Sequence, residues 1–331
     1  HRKVGDAIEK LFSGRLEENM FAGIVSDTTA SSSNENILPM IHLRVDPAEW
    51  FDVRLAYTKT LSRPGYQNMV PYFYQDPNNY EAGGGDINLK PQVSTNWDLY
   101  TSFYSNNIGL FTVGAFYKKI DDLIWITDVA VATDEDEQRY GLNPDYNIST
   151  FSTPVNNEYK GYVSGIEFDL QHNAWYLPQP LNGLVVSANY SYIQSETKYP
   201  YSYSELIQKR PPKSVRVDTF YTAALEGQPE HIVNASVGYD YKGFSIRVSY
   251  LFQKGRLSQR NRTIVLSRYL EDFSRWDIRV QQKLPLKGLE AYLNLNNLSN
   301  AGDEFYVYDP QYISNRQFYG MTIDAGLRYR L

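Results

Sequence analysis

The last thirteen residues, YGMTIDAGLRYRL, alternate without a break. Tyr319, Met321, Ile323, Ala325, Leu327, Tyr329 and Leu331 form one apolar series, while Gly320, Thr322, Asp324, Gly326, Arg328 and Arg330 form a small or polar one. A period of two is a strand with one greasy face and one wet face. The same beat returns along the chain. Ile41, Leu43 and Val45 alternate with His42, Arg44 and Asp46, and Phe51, Val53, Leu55 and Tyr57 with Asp52, Arg54, Ala56 and Thr58. It recurs in GLFTVGAFYK (109–118), VSGIEFDL (163–170), HIVNASVGYDY (231–241), GFSIRVSYLF (243–252), RWDIRVQQKL (275–284) and GLEAYLNLNN (288–297). The chain reads as all-β.

Alternation alone does not say whether the greasy face meets a protein core or lipid; the connections do. Tight links at 46–50, 105–109, 241–243 and 285–288, with a longer one at 172–183, alternate with long segments covering roughly 63–92, 126–157, 196–228, 255–271 and 298–316. Loops longer than about 15 residues are uncommon in compact soluble domains. Several of them at every second connection place all long loops at one end and all short turns at the other, the pattern of an outer-membrane barrel. Strand length agrees: thirteen residues rising about 3.3 Å each and tilted about 40° cover on the order of 33 Å of membrane normal. Ile323, Ala325 and Leu327 are therefore assigned to lipid, with Tyr319 and Tyr329 near the two aqueous boundaries. Arg44, Arg54, Arg247, Arg279, Arg328 and Arg330 fall on the opposite face, toward the lumen, where they can pair with a plug or with one another. Toward lipid each would cost about 2–4 kcal/mol near the midplane.

Eleven strands are counted from Ile37 to the end. An odd number cannot close antiparallel, and an open sheet in lipid leaves unpaired backbone groups at several kcal/mol each. The expected fold is thus a transmembrane antiparallel β-barrel of which residues 37–331 supply a carboxyl-terminal part. The missing strands come from an upstream segment or a separate chain. Within residues 1–36, Val4, Ala7, Ile8, Leu11 and Phe12 repeat at helical spacing and predict a short amphipathic helix, followed by a polar surface loop, SDTTASSSNEN.

Composition narrows the function classes. The chain holds 29 Tyr, and its aromatic share is 15% although mean hydropathy is −0.49, which suits rings at a water boundary. Lys+Arg number 32 against Asp+Glu 38, and no basic stripe exists for a nucleic acid to follow. With no Cys, disulfide frameworks, thiolate metal sites and cysteine nucleophiles are excluded. No run of eighteen apolar residues predicts a transmembrane helix. Four histidines without metal-pair spacing, and no nucleophile elbow or phosphate loop, predict neither an enzyme, a cofactor nor a metal centre. The acidic run Asp134, Glu135, Asp136 and Glu137 lacks the spacing of a calcium loop and reads as a solvated loop.

Rings cluster in the long loops. Tyr72, Phe73, Tyr74 and Tyr80, then Tyr199, Tyr201 and Tyr203, then Phe305, Tyr306, Tyr308 and Tyr312 offer contact area with a polar tip at little entropic cost. They are candidate ligand-binding residues. The competing reading is that they pack the loops together or touch a surface lipoprotein acting as a lid.

Several stretches resemble one family, the TonB-dependent outer-membrane receptors. LSRPGYQNMVPY (61–72), GGGDINLKPQVSTNWDLYTSFY (83–104), GLFTVGAFYKKIDDLI (109–124) and LNLNNLSNAGDEFY (293–306) are similar to family segments and stand in the family's order. Ser299 replaces the usual Thr, and the end at Leu331 departs from the usual terminal aromatic. The resemblance implies a 22-stranded barrel, of which eleven strands are half. It also implies an amino-terminal plug domain, a TonB-type energy transducer as partner, a multi-pass place in the Gram-negative outer membrane, and active import of a scarce solute captured by the surface loops. Two other functions fit the alternation: a passive porin or secretion pore, distinguished by lacking a plug, and a soluble all-β adhesion domain, distinguished by accepting charge on the Leu327 face.

Overall fold

The computed structural model describes residues 10–18, 24–70, 72–107, 109–209, 212–261 and 264–330. Within them eleven strands pair in chain order into one antiparallel wall. They are β1 (Met40–Ala48), β2 (Phe51–Ser62), β3 (Gln92–Ser105), β4 (Gly109–Asp121), β5 (Gly161–Asn173), β6 (Leu184–Lys209), β7 (His231–Tyr241), β8 (Phe244–Gln253), β9 (Phe273–Lys283), β10 (Leu289–Asn296) and β11 (Thr322–Tyr329). A further strand, Pro212–Ala223, pairs with the far half of β6. The wall is open: among the described residues, β1 and β11 each have a neighbour on one side only.

Register shows why alternation builds a two-faced wall. Val186, Val237, Val248, Ile278, Leu295 and Ile323 are successive cross-strand partners from β6 to β11. Leu43, Leu55, Leu99, Ala115, Ile166 and Tyr192 make a similar row from β1 to β6. Three residues along, and so on the opposite face, the row Asp52, Ser102, Thr112, Asp169, Asn189 and Asn234 is wholly polar. A slip of one residue would exchange these faces, so the hydrophobic pattern itself fixes the pairing.

The apolar face stays uncovered. Ile166 and Val237, on strands flanked on both sides, are 44% and 51% exposed, and Leu327 is 68% exposed. An apolar face of this extent in contact with water would be an aggregation surface; against hydrocarbon it is matched. Ile323, Ala325 and Leu327 share it.

At one end the turns are tight. Lys242 and Gly243, with φ of 46° and 83°, make a two-residue link of the mirror-image type whose twist matches the flanking strands. At the other end the long connections are built structures in their own right. Phe73–Asp76, Glu81–Gly84, Thr150–Asn156 and Ile124–Ala130 form one four-stranded sheet. Arg256–Gln259, Arg268–Leu270, Gly302–Val307 and Ile313–Phe318 form a second. β6 runs on for 26 residues, pairing with β7 up to Tyr192 and with Pro212–Ala223 beyond Thr197. The clusters of fully buried apolar residues lie in this loop layer: Ala82, Leu142, Ile148 and Phe151 in one, Met69 and Leu89 in another.

Two expectations are corrected. Of the expected helix, Val4, Ala7 and Ile8 lie outside the described residues, while Leu11 and Phe12 lie in a strand: Lys10–Glu18 pairs antiparallel with Ile24–Ser32, which also takes up much of the expected polar loop. Helical spacing over so short a stretch is overruled by a partner strand that pairs along all nine residues of Lys10–Glu18. The terminal strand spans Thr322–Tyr329 and not all thirteen alternating residues. Gly320 turns at φ 77° and its carbonyl accepts from Asn297 Nδ2, which takes the chain out of the ladder before Thr322.

Candidate functional site

The concave polar face and the loop layer above it are the places where a solute could be held. On the polar face a cavity of about 840 Å³ is lined by Asp169, Asn189, Asn234, Ser249, Arg275 and Asp277 among others. Arg44, Arg54, Arg247, Arg279 and Arg328 all stand on this face. Arg54 donates to Asp52 at 2.9 Å, and Arg44 reaches Asp46 at 2.8 Å and Asp52 at 3.3 Å. Asp52 is fully buried, and its Oδ1 has no hydrogen-bond partner among the described residues. Arg247 grips Asp240 with two bonds of 2.8 and 2.7 Å. Arg247 and Arg279 are cross-strand partners, and Arg328 lies 3.8 Å from Glu290 and over the Tyr292 ring. Arg330 follows the end of β11, its amide donating to the Gly288 carbonyl.

The ring clusters divide by burial. Phe73 packs 6.3 Å from Phe151 against the loop core, so its ring is a packing element. Tyr199 is 1% exposed: its hydroxyl donates to the Ala224 carbonyl at 3.0 Å and accepts from the Glu226 amide at 3.1 Å. Such a ring holds loops together and has no surface for a ligand. Tyr201 stacks against Tyr203 and meets Tyr221 edge-on. Tyr306 stacks on Tyr269, and the Arg268 guanidinium lies 4.0 Å over Phe305. Tyr72, Tyr74, Tyr80, Tyr203, Tyr308 and Tyr312 are exposed, with the Tyr72 and Tyr74 rings near parallel and their centroids 6.4 Å apart.

Sequence reasoning missed the knot around Tyr199. Trp125 and Tyr221 pack on its two sides at 4.9 and 5.5 Å, and the Arg260 guanidinium lies 5.5 Å from both the Trp125 and Tyr199 rings. Arg260 Nη2 donates to the Ile126 carbonyl and its amide to Glu226, each at 2.6 Å. Three long connections are thereby pinned at one point. Burial pushes the Tyr199 hydroxyl well above the usual phenol range and the Tyr221 hydroxyl up to about 12, so both stay neutral and able to donate. No local pattern marks these residues, because they converge from segments far apart in the chain.

The acidic run is resolved as a helix start. Thr133 caps Asp134–Tyr140 in a reciprocal capping box with Asp136. Asp136 also accepts from Arg216. Burial alone would raise its carboxyl; the Ala132 amide, the Thr133 hydroxyl and Arg216 outweigh that and hold it below the ordinary value.

A family profile described as TonB dependent receptor-like, beta-barrel, matches residues 12–298. The chain belongs to the TonB-dependent receptor β-barrel family. It is accordingly an outer-membrane barrel protein that crosses the bilayer many times. Solved structures of the family share its fold. A mutant of the ferric enterobactin receptor PfeA from Pseudomonas aeruginosa is 14% identical with a TM-score of 0.58, over 92% of this chain and 40% of that one. The outer-membrane ferripyoverdine receptor of Pseudomonas aeruginosa, bound to ferripyoverdine, is 14% identical with a TM-score of 0.54, over 96% of this chain and 35% of that one. The chain thus spans well under half the length of these receptors. Among curated protein sequences none matches it.

Proposed function

We propose that this TonB-dependent receptor barrel segment supplies the carboxyl-terminal half of an importer that captures a scarce solute in its loop layer and passes it along the polar lumen, using energy from a TonB-type transducer. The observation that carries this reading is the ordered loop layer, with its own buried cores and exposed paired rings, standing over a lumen face of paired charges. A passive pore needs short or pore-lining loops and no platform of this size. Exposed Tyr72, Tyr74, Tyr80, Tyr203 and Tyr308 are the proposed contacts. The structural relatives named above bind ferric enterobactin and ferripyoverdine, which makes ferric siderophores the first solutes to test.

The test is uptake of a labelled ferric-siderophore panel, with cobalamin, oligosaccharides and peptides alongside, by cells carrying the intact receptor. Saturable uptake of one solute that stops when the transducer is deleted is the expected result. Entry of many small solutes regardless of the transducer would establish the passive pore instead.

A further inference from the structure

The loop sheet of Phe73–Asp76, Glu81–Gly84, Thr150–Asn156 and Ile124–Ala130 has two unlike sides. On one side Phe73, Ala82 and Phe151 join the apolar cluster of the loop layer. Alternation sends Tyr74 and Asp76 to the other side. There the register places Tyr74, Gly83, Ser152 and Asp128 in one row across the four strands, and sets Glu81 directly opposite Asp76. The Tyr72 ring runs near parallel to that of Tyr74, and both residues are 42% exposed.

Gly83 shapes this side. A Cβ there would lie 2.7 Å from both Tyr74 Cε1 and the Ser152 carbonyl oxygen, so the Tyr74 ring is laid over the glycine with its other π-face turned outward. Carboxylates surround it. Asp128 accepts from the Ser152 hydroxyl at 2.6 Å, and Asp76 is fixed by the Asn78 and Asn79 amides. Glu81 has no hydrogen bond or ion pair among the described residues. Like charges directly opposite on neighbouring strands are unfavourable unless a cation joins them. Burial first, then Glu81, with Tyr72, Asp128 and Asp76 behind it, pushes the Tyr74 hydroxyl above the usual phenol range.

No cation of the chain is on hand to answer them. None of the four strands contains a Lys, Arg or His. The two connections that build the sheet, 64–89 and 124–156, hold nine acidic residues and one basic residue, Arg139. Arg139 lies over Tyr140, which stacks on Phe151 and so belongs to the packed side. Arg216 is taken by Asp136. Arg260 reaches the Ile126 carbonyl from above Trp125, again on the packed side. An aromatic face attracts a cation through its quadrupole, and negative charge around the ring adds to that attraction.

We propose that Tyr72 and Tyr74, rimmed by Asp76, Glu81 and Asp128, form a subsite for a cationic group, ammonium or guanidinium, carried by the captured solute. The inference rests on capture of a solute in the loop layer and adds the charge that the solute carries at this point. A solute with a uniformly anionic surface is repelled here.

The intact receptor, purified in detergent, is titrated with tetramethylammonium and with neutral tert-butanol of similar size, using saturation-transfer nuclear magnetic resonance. The wild type should bind the ammonium at least about fivefold more tightly than the alcohol. Tyr74→Phe, which keeps the ring, should retain that preference. Tyr74→Leu, and Glu81→Gln combined with Asp128→Asn, should each weaken ammonium binding at least about threefold. Heat-modifiable gel mobility confirms that each protein is a folded barrel. Equal binding of the two probes by the folded wild type overturns the proposal without recourse to any variant. Binding that survives in Tyr74→Leu and falls only in the acidic double variant assigns it to loose counter-ions and overturns the ring subsite. Binding to the purified receptor needs no transducer, so loss of energy-dependent uptake with this preference intact would remove the importer reading and leave the subsite standing.

Discussion

Tyr100 lays its ring across Gly114 and donates its hydroxyl to Glu167 at 2.7 Å. Gly114 is the cross-strand partner of both residues, so the bond spans the intervening strand on the lumen face. A Cβ at Gly114 would lie 2.2 Å from Tyr100 Cε1, and the glycine is what leaves room for the ring. Gly114→Leu should push Tyr100 off Glu167 and cost about 1–3 kcal/mol as overpacking does. Combining it with Tyr100→Ala should recover part of that loss. Denaturant titration of the folded barrel in vesicles measures both; equal loss in the single and double variants would show that the ring is not the obstacle.

The two faces of β11 give a second test. Leu327→Arg places a charge on the apolar face beside Ala291 and should cost about 2–4 kcal/mol if it lies near the midplane. Arg328→Leu removes a distant partner of Glu290 on the lumen face and should cost much less. Folding into vesicles, followed by gel mobility, compares them, and equal tolerance would contradict the assignment of faces.

Tyr199→Phe deletes the hydroxyl that serves the Ala224 carbonyl and the Glu226 amide inside the loop layer. Two buried backbone groups lose a partner, at about 1–3 kcal/mol of local stability. Hydrogen exchange should show the Glu226 amide losing protection. The neighbouring Leu225 amide, which donates to Ser195 Oγ at 3.1 Å, serves as an internal reference and should change less.

Asp136 carries a pH-dependent clamp on the 134–140 helix. Its folded carboxyl is held below the ordinary value, so its contribution is complete at neutral pH and is lost as pH falls through that depressed value. Asp136→Ala removes the side-chain half of the capping box and the Arg216 pair together and should cost about 1–3 kcal/mol locally. Trypsin at neutral pH should cut after Arg139 at least about tenfold faster in the variant. With pepsin, wild type and variant should converge only below the ordinary carboxylate range; convergence at neutral pH would remove Asp136 from this role.

The wall was legible in the sequence because its information is local. Each strand carries its own period-two pattern, and once apolar residues such as Leu43, Val237 and Ile323 must share a face, pairing and strand count follow: eleven strands in order, with the six arginines on the polar side or continuing it. The end to which the long connections belong, and the outer-membrane family, were legible for the same reason. What the rings do was not. Tyr199 and Tyr203 sit four residues apart with the same alternation, yet one is enclosed by Trp125, Tyr221 and Arg260 and the other is open to water. Lys10–Glu18 likewise reads as half a helix until its partner strand is in place.

The sequence by itself determined a two-faced antiparallel wall, because side chains that alternate along a strand choose their solvent residue by residue. Only the tertiary structure decided which loops become sheets, which tyrosines lock them and which carboxylates gather around Tyr74. Those outcomes depend on residues from separate connections meeting at contact distance, and no single segment records where its neighbours will stand.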